Sequence, residues 1–288
     1  MTFKELQAQA IRRLKEAPPP RSPENFDSPQ WDVRLLTEYA SGLNQTQLFL
    51  AADEKVPENV KRRFNRFLRR RLAGVPVAYI TKSRCFFGLD LEVTPAVLVP
   101  RSETETLAEA VIESGDKNKP LRVLDLCTGS GCIAAAVKSA RPRWTVCASD
   151  ISAAALKVAR RNFRRLGLEV TVFKRDLMKN LPGQYDIIAA NPPYISLTEM
   201  ENLKPDLYEP EPALTDGGDG LSLIFRILSS APAKLNPGGR LLLEAAPHQT
   251  KIIRAKMEEL CYTETGVLRD AAGRERIVYG NHYHHLSI

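Results

Sequence analysis

The chain has 288 residues, 43% of them hydrophobic, with 41 basic and 34 acidic side chains and a net charge of +7. That length supports a large buried core and is expected to divide into two domains, and no apolar run reaches the roughly 18–20 residues of a membrane span. The five cysteines, Cys85, Cys127, Cys132, Cys147 and Cys261, are odd in number and lack Cys-x-x-Cys spacing, which argues against a disulfide framework or a zinc ribbon.

Residues 1–10 have no apolar centre of the kind a signal peptide needs, so a cytoplasmic location is expected. Residues 1–75 read as a helical domain. Pro18-Pro19-Pro20 marks an early break. Ser28 before Pro29 reads as an N-cap and first helical residue, and Trp31, Leu35 and Tyr39 then recur at helical spacing as an apolar stripe. A second stripe runs through Val60, Phe64, Phe67, Leu68 and Leu72. The opposite face of that helix carries Lys61, Arg62, Arg63, Arg66, Arg69, Arg70 and Arg71, seven basic residues that match the whole excess of +7. Such a face is either simply solvated or a steering surface for an acidic protein or RNA.

Residues 76–103 read as a β-hairpin linker, with 76–81 leading into Cys85, Phe87, Leu89, Leu91 and Val93, which alternate as a strand. From residue 104 to 288 the pattern is α/β. A short apolar strand at 121–126 meets the small-residue turn Cys127-Thr128-Gly129-Ser130-Gly131-Cys132 and a helix over 133–140. This is the first unit of a doubly wound sheet, whose ligands sit beyond the carboxyl ends of the strands. Gly129 and Gly131 permit a tight turn and close backbone approach to a ligand. The next strand, 144–149, ends at Asp150, placed to accept hydrogen bonds from ribose hydroxyls. The position three beyond Gly131 is Ala134, so the dinucleotide fingerprint Gly-x-Gly-x-x-Gly is incomplete. The spacing suits a ligand without a pyrophosphate. A third strand, 169–173, precedes Asp176 and Leu177. Asp176 is either a solvated turn residue or an acceptor for an adenine amine, with Leu177 against the ring.

The strand at 186–190 runs into Asn191-Pro192-Pro193-Tyr194. Each proline fixes its own φ and pushes the preceding residue toward extended backbone. A polar amide and stiff carbonyls then stand beside an aromatic ring at a strand end, suited to gripping a planar NH2 group. Residues 195–220 are acidic and proline-containing, and stretches of that length inside a compact domain are usually lids or binding elements. Strands at 239–244 and 276–280, with a helix at 249–260, complete a seven-stranded reading. His282, His284 and His285 could chelate a metal, but a terminal histidine tail is more often solvated, and no metal is expected.

With these pieces in place the chain resembles the release-factor glutamine methyltransferases (the PrmC/HemK family) of the class I S-adenosylmethionine-dependent methyltransferases. The resemblance rests on Asp125-Leu126-Cys127-Thr128-Gly129-Ser130-Gly131, Ser149-Asp150-Ile151-Ser152 and Asn191-Pro192-Pro193-Tyr194. It rests further on Val99-Pro100-Arg101-Ser102-Glu103-Thr104-Glu105, Asp216-Gly217-Gly218-Asp219-Gly220-Leu221 and the stretch from Arg269 to Arg276. The chain departs from the family pattern at Ser102, at Lys82 (where a glycine is common) and at Glu244-Ala245-Ala246.

The resemblance implies a Rossmann-like, seven-stranded, mostly parallel sheet behind an N-terminal helical substrate-recognition domain. It implies methyl transfer from S-adenosyl-L-methionine to the glutamine N5 of a Gly-Gly-Gln sequence in peptide-chain release factors. Cys127, Thr128, Gly129, Ser130, Gly131, Asp150, Asp176, Leu177 and Asn191 would hold the methyl donor. Asn191, Pro192 and Tyr194 would be catalytic, and Pro193 and Leu98 would join them around the substrate. No stable nucleic-acid or membrane partner is expected. The tetrapeptide alone leaves two other enzyme readings open, methylation of nucleic-acid amines and of a ribosomal-protein glutamine. A third alternative is a non-catalytic RNA- or ribosome-binding protein.

Overall fold

The computed structural model describes residues 1–17, 28–203 and 208–282; Pro18-Pro19-Pro20, His284 and His285 lie outside them. The chain divides into two compact units, Met1–Ser83 with Glu201–Tyr208, and Arg84–Met200 with Glu209–Ile288.

The first unit is built from α1 (Phe3–Glu16), α2 (Pro29–Ser41), α3 (Gln45–Leu50), α4 (Glu58–Leu72) and α5 (Val77–Thr81). Ser28 caps α2 by accepting from Trp31 N, with Pro29 at the first helical position, where its missing N–H costs nothing. The apolar stripe expected on α2 is out of phase. Trp31 and Tyr39 are exposed, while Val33, Leu36 and Ala40 are buried among Phe64, Phe67 and Leu68 of α4. Trp31 instead lies under the Arg34 guanidinium, 3.8 Å from it, a contact an exposed indole can make at no burial cost.

The basic face of α4 also needs correction. Arg71 is buried, its Nε 2.6 Å from Asp32 Oδ2 on α2. The reason is helical spacing. Positions 64, 67, 68 and 71 share one face, so Arg71 points into the core and requires a countercharge there. Arg62, Arg63, Arg66, Arg69 and Arg70 remain exposed.

Residues 77–81, read as part of the hairpin linker, form the helix α5, which ends at Lys82 with φ 60°, the left-handed geometry that glycine adopts most cheaply. The hairpin expected within residues 76–103 is present, and both of its strands, β1 (Ser83–Phe86) and β2 (Leu89–Glu92), lie in the alternating stretch expected to supply one. The chain reverses at Phe87 (φ 51°) and Gly88 (φ 74°), two successive positive φ values of the kind hairpin turns require. Phe86 and Leu91 are buried while Phe87 is exposed. Asn162 fastens this hairpin, accepting from Glu92 N at 2.7 Å and donating to Glu92 O and Ser130 O.

The second unit centres on a seven-stranded sheet in the order β5-β4-β3-β6-β7-β9-β8. Its strands are β3 (Arg122–Leu126), β4 (Thr145–Asp150), β5 (Val170–Lys174), β6 (Tyr185–Ala190), β7 (Leu235–Glu244), β8 (Thr263–Arg269) and β9 (Glu275–His282). Pairing from β5 to β7 is parallel, and β9 runs antiparallel to both β7 and β8. Strand periodicity of two sends alternate residues to opposite faces. Val123, Ile187, Ala189 and Leu242 join one core with α6 (Ser102–Ser114), α7 (Cys132–Ala140) and α8 (Ala153–Arg165). Leu124, Ile188, Ala190, Leu241 and Leu243 join the other, with α10 (Ser222–Ser230) and α11 (Thr250–Glu259). The strand that the sequence reading left unlocated is β8. Residues 195–220 are not structureless, since they contain the helix α9 (Leu197–Leu203) and a 3-10 turn at Glu211–Ala213.

Candidate active site

Strands β3 and β6 are neighbours, but the chain between them travels out through β4 and β5 and returns. Their carboxyl ends therefore flank a topological switch point, where open α/β sheets hold ligands. A cavity of about 340 Å³ lies there. Its wall includes Leu98, Cys127, Thr128, Gly129, Ser130, Asp150, Asp176, Leu177, Asn191 and Pro193. Gly131, Pro192 and Tyr194 do not line it.

Asp125 organises the glycine turn from beneath. Its Oδ2 accepts from the Thr128 hydroxyl and from Ala134 N near the start of α7. Burial pushes its carboxyl up to about 7, against both of those donors. Gly129 sits at φ +55° with nothing within 4 Å of where a Cβ would be, so its open side faces the cavity. Gly131 has a different duty from the one its spacing suggested. A Cβ there would lie 2.6 Å from the Phe163 ring, so this glycine lets α7 start close against α8. Cys127 holds φ 58° without being glycine, and burial raises its thiol well above the ordinary value, which keeps it a protonated wall residue.

Asp150 ties the strand end to the turn. Its Oδ2 accepts from Gly129 N at 2.9 Å and its Oδ1 from Ser152 N at 2.8 Å, leaving each oxygen a second lone pair. Burial is the largest influence on its carboxyl, raising it, while these backbone donors lower it. Asp176 is not a bare turn residue, because Arg226 of α10 reaches both of its oxygens at 2.9–3.0 Å. The stretch after the tetrapeptide contributes Pro210, Pro212 and Ala213 to the wall. Glu209 fastens that segment by accepting from Val99 N and from Arg101.

The tetrapeptide is held from behind. Asn191 donates through Nδ2 to Thr104 Oγ1 at 3.1 Å, and the described residues offer no donor to its Oδ1. Tyr194 turns its hydroxyl away to Glu244 Oε1 at 3.3 Å. Gln249 donates to Tyr194 O at 2.9 Å and to Gly220 O at 3.2 Å. Thr104, Glu244 and Gln249 were missed as site residues. Thr104 and Glu244 stand inside motifs already noticed, and Gln249 carries no sequence signal at all. Among the described residues, no group of three or more metal-ligating side chains occurs, and no helix is long and apolar enough to cross a membrane.

The sheet order and the cavity at its switch point define a class I S-adenosylmethionine-dependent methyltransferase fold. A family described as "Methyltransferase small domain" matches residues 102–268, and "PrmC N-terminal domain" matches residues 5–81. Release factor glutamine methyltransferase from Neisseria gonorrhoeae is 40% identical over 264 residues, covering 90% of this chain and 95% of its own. The Bordetella pertussis protein of the same name is 39% identical over 255 residues, covering 88% and 94%. The chain belongs to the release factor glutamine methyltransferase family. Among solved structures, a 16S rRNA N2 G1207 methyltransferase of T. thermophilus, in complex with AdoMet and guanosine, matches at TM-score 0.54 and 19% identity. That match covers 69% of this chain and 49% of the other, and it bears on the fold alone.

Proposed function

We propose that this enzyme transfers a methyl group from S-adenosyl-L-methionine to the side-chain amide nitrogen of the glutamine in a Gly-Gly-Gln sequence of a peptide-chain release factor. The observation that carries this reading is the polarity of Asn191. With its Nδ2 committed to Thr104, its Oδ1 is the acceptor left for a substrate NH2 group. A carboxamide nitrogen is a poor nucleophile because its lone pair is delocalised into the carbonyl. Acceptance of its two hydrogens by Asn191 Oδ1 and the Pro192 carbonyl aims the nitrogen and supports the positive charge that develops on it. Tyr194, anchored through its hydroxyl, packs beside the amide, and Leu98 and Pro193 complete the pocket wall. The methylated nitrogen becomes acidic and loses its proton afterwards, so no general base is required before transfer.

S-adenosylmethionine supplies an electrophilic methyl group when bound. The residues present fit it: Gly129 leaves backbone open to the cavity, and Ser149 Oγ is a buried polar atom with no partner in the cavity wall. Cys127, Thr128, Ser130 and Gly131 shape the turn, Asp150 accepts from the ribose, and Asp176 and Leu177 receive the adenine. Replacing Asp150 with alanine is expected to weaken S-adenosylmethionine binding by about 1–3 kcal/mol through lost acceptors. Calorimetric titration showing wild-type affinity would remove Asp150 from the site.

The reaction itself is tested with labelled methyl donor and three substrates: an intact release factor, a short Gly-Gly-Gln peptide and nucleic acid. Mass spectrometry is expected to find one added methyl, on the glutamine. Label confined to nucleic acid would sink the assignment in favour of an exocyclic-amine methyltransferase. The helical unit is read as the part that meets the factor, through the exposed arginines of α4. Reversing Arg66 and Arg70 to glutamate should lower kcat/KM for the intact factor, with weaker salt dependence, and leave the peptide rate unchanged. Equal rates on both substrates for variant and wild type would return that face to a solvated surface.

A further inference from the structure

One ion pair in the cavity wall has no part in the transfer chemistry. Asp176 lies just beyond β5, and Arg226 stands on α10, 50 residues further along the chain. Both line the cavity together with Leu177. Arg226 Nη2 donates to Asp176 Oδ1 at 3.0 Å and to Oδ2 at 2.9 Å. The two side chains are 56% and 46% exposed, and an ion pair so open to water adds little to folding stability. On its far side the pair borders a second cavity of about 670 Å³, lined also by Lys179, Phe225 and Lys234. The pair therefore stands between two cavities rather than in a core.

Both partners are aimed by the fold. The chain turns at Leu177, whose φ of 48° is strained for a bulky residue, and the Asp176 carbonyl accepts from Lys179 N at 3.1 Å. Rotation of α10 is fixed by Ile224, Ile227 and Leu228, which are buried in the core. Its first turn is tied down by Asp219, accepting from Ser222 N, and by Asp216, accepting from Leu223 N. Among the described residues, Arg226 alone donates to the Asp176 carboxylate.

A carboxylate has about four lone-pair sites, and Arg226 occupies one on each oxygen. A second site on each oxygen stays open. Held at both oxygens by a nitrogen anchored on α10, the carboxylate plane has one orientation. Released, a half-exposed side chain regains its rotamers and turns to water, and an amine brought into the cavity loses its acceptor.

We infer that Arg226 is a positioning residue for the base of the methyl donor: it clamps Asp176 so that an open lone pair meets the adenine amine, and selectivity for a 6-amino purine depends on it. This rests on the reading of Asp176 as the acceptor for adenine.

The test is calorimetric titration with two ligands. One is S-adenosylhomocysteine; the other is its analogue with unsubstituted purine in place of adenine, which lacks the 6-amino group and keeps every ring nitrogen. Wild type should prefer S-adenosylhomocysteine roughly 10- to 100-fold, the scale of a hydrogen bond to a charged group. Arg226→Met keeps much of the side chain's length and has no donors. It should bind S-adenosylhomocysteine about 10-fold more weakly and the purine analogue as wild type does, so the preference shrinks by that same factor. Arg226→Lys restores the charge without the planar guanidinium and should recover only part of the loss. Thermal midpoints of the unliganded variants should stay near wild type, which separates a lost clamp from a damaged fold.

A wild-type preference for the amino ligand in Arg226→Met overturns the inference. Equal losses on both ligands overturn it too, because Arg226 would then be a general contact and not act through Asp176. Asp176→Ala is the separate check and should bind the two ligands alike. If that variant keeps the preference, it is the adenine reading of Asp176 that fails.

Discussion

Replacing Asn191 with alanine is expected to lower turnover by roughly 10²–10³, the cost of removing one preorganised polar contact to the reacting group. Affinity for S-adenosylmethionine should be nearly unchanged. The distinction follows from geometry. Asn191 stands at the end of β6, while the turn and Asp150, which hold the methyl donor in this reading, belong to β3 and β4. Nothing that fastens the turn passes through Asn191, whose side chain bonds to Thr104 of α6. Single-turnover measurements separate transfer from donor binding. Near-normal transfer in the variant would mean that another group grips the amide. Asn191→Asp offers a sharper contrast, because it keeps an acceptor but removes the donor to Thr104. It should therefore retain more activity than alanine and respond more strongly to pH.

Gly220→Ala is expected to be the most damaging single methyl group in the second unit. The glycine has φ +78°, and a Cβ there would stand 2.2 Å from the Tyr194 carbonyl oxygen and 3.0 Å from Gln249 Nε2. Two backbone segments approach here because Gln249 donates to a carbonyl on each. Asp216 fixes the same turn, accepting from Gly218 N, Gly220 N and Leu223 N. Alanine must therefore distort either a well-bonded turn or the tetrapeptide. Overpacking together with the positive-φ strain should cost about 2–4 kcal/mol. A displacement of the tetrapeptide by about 1 Å should lower kcat on the order of 10²-fold. Gly217 is the internal control, since it has φ +79° but nothing within 4 Å of its Cβ position. Its alanine variant should show only the conformational cost, about 1–2 kcal/mol, with turnover preserved. Denaturant midpoints and kcat for the pair decide the matter. If Gly220→Ala matches Gly217→Ala in both, the close approach has no functional weight.

How much of this was visible in the chain depends on how local each signal is. The glycine turn, Asp150 and the Asn-Pro-Pro-Tyr corner could be read because strand, turn and functional residue are consecutive in sequence. Backbone rules for glycine and proline then act on the same few residues proposed to form the site. The phase of α2 could not be read this way, because Trp31, Leu35 and Tyr39 satisfy helical spacing as well as Val33, Leu36 and Ala40 do. Packing against α4 decided which set is buried. Arg71 was a missed signal, since its place on the Phe64–Leu68 face was computable and demanded a partner. Strand β8 was hidden because its sequence, Thr-Glu-Thr-Gly-Val-Leu-Arg, is mostly half-exposed at the sheet edge and lacks the alternation that marks a half-buried strand.

The sequence by itself determined the class of sheet, the turn at its switch point and the identity of the groups at the two strand ends. Each of these is a short-range consequence of residue type. Only the tertiary structure decided what holds those groups in place. Thr104 meets Asn191 across 87 residues, Glu244 meets Tyr194 across 50 and Gln249 reaches Tyr194 across 55. Hydrogen bonds across such separations exist only once the sheet has ordered its strands, because neither partner's local sequence specifies the other. The residues of the corner are therefore written locally, and the side chains that hold them are brought up behind it by folding.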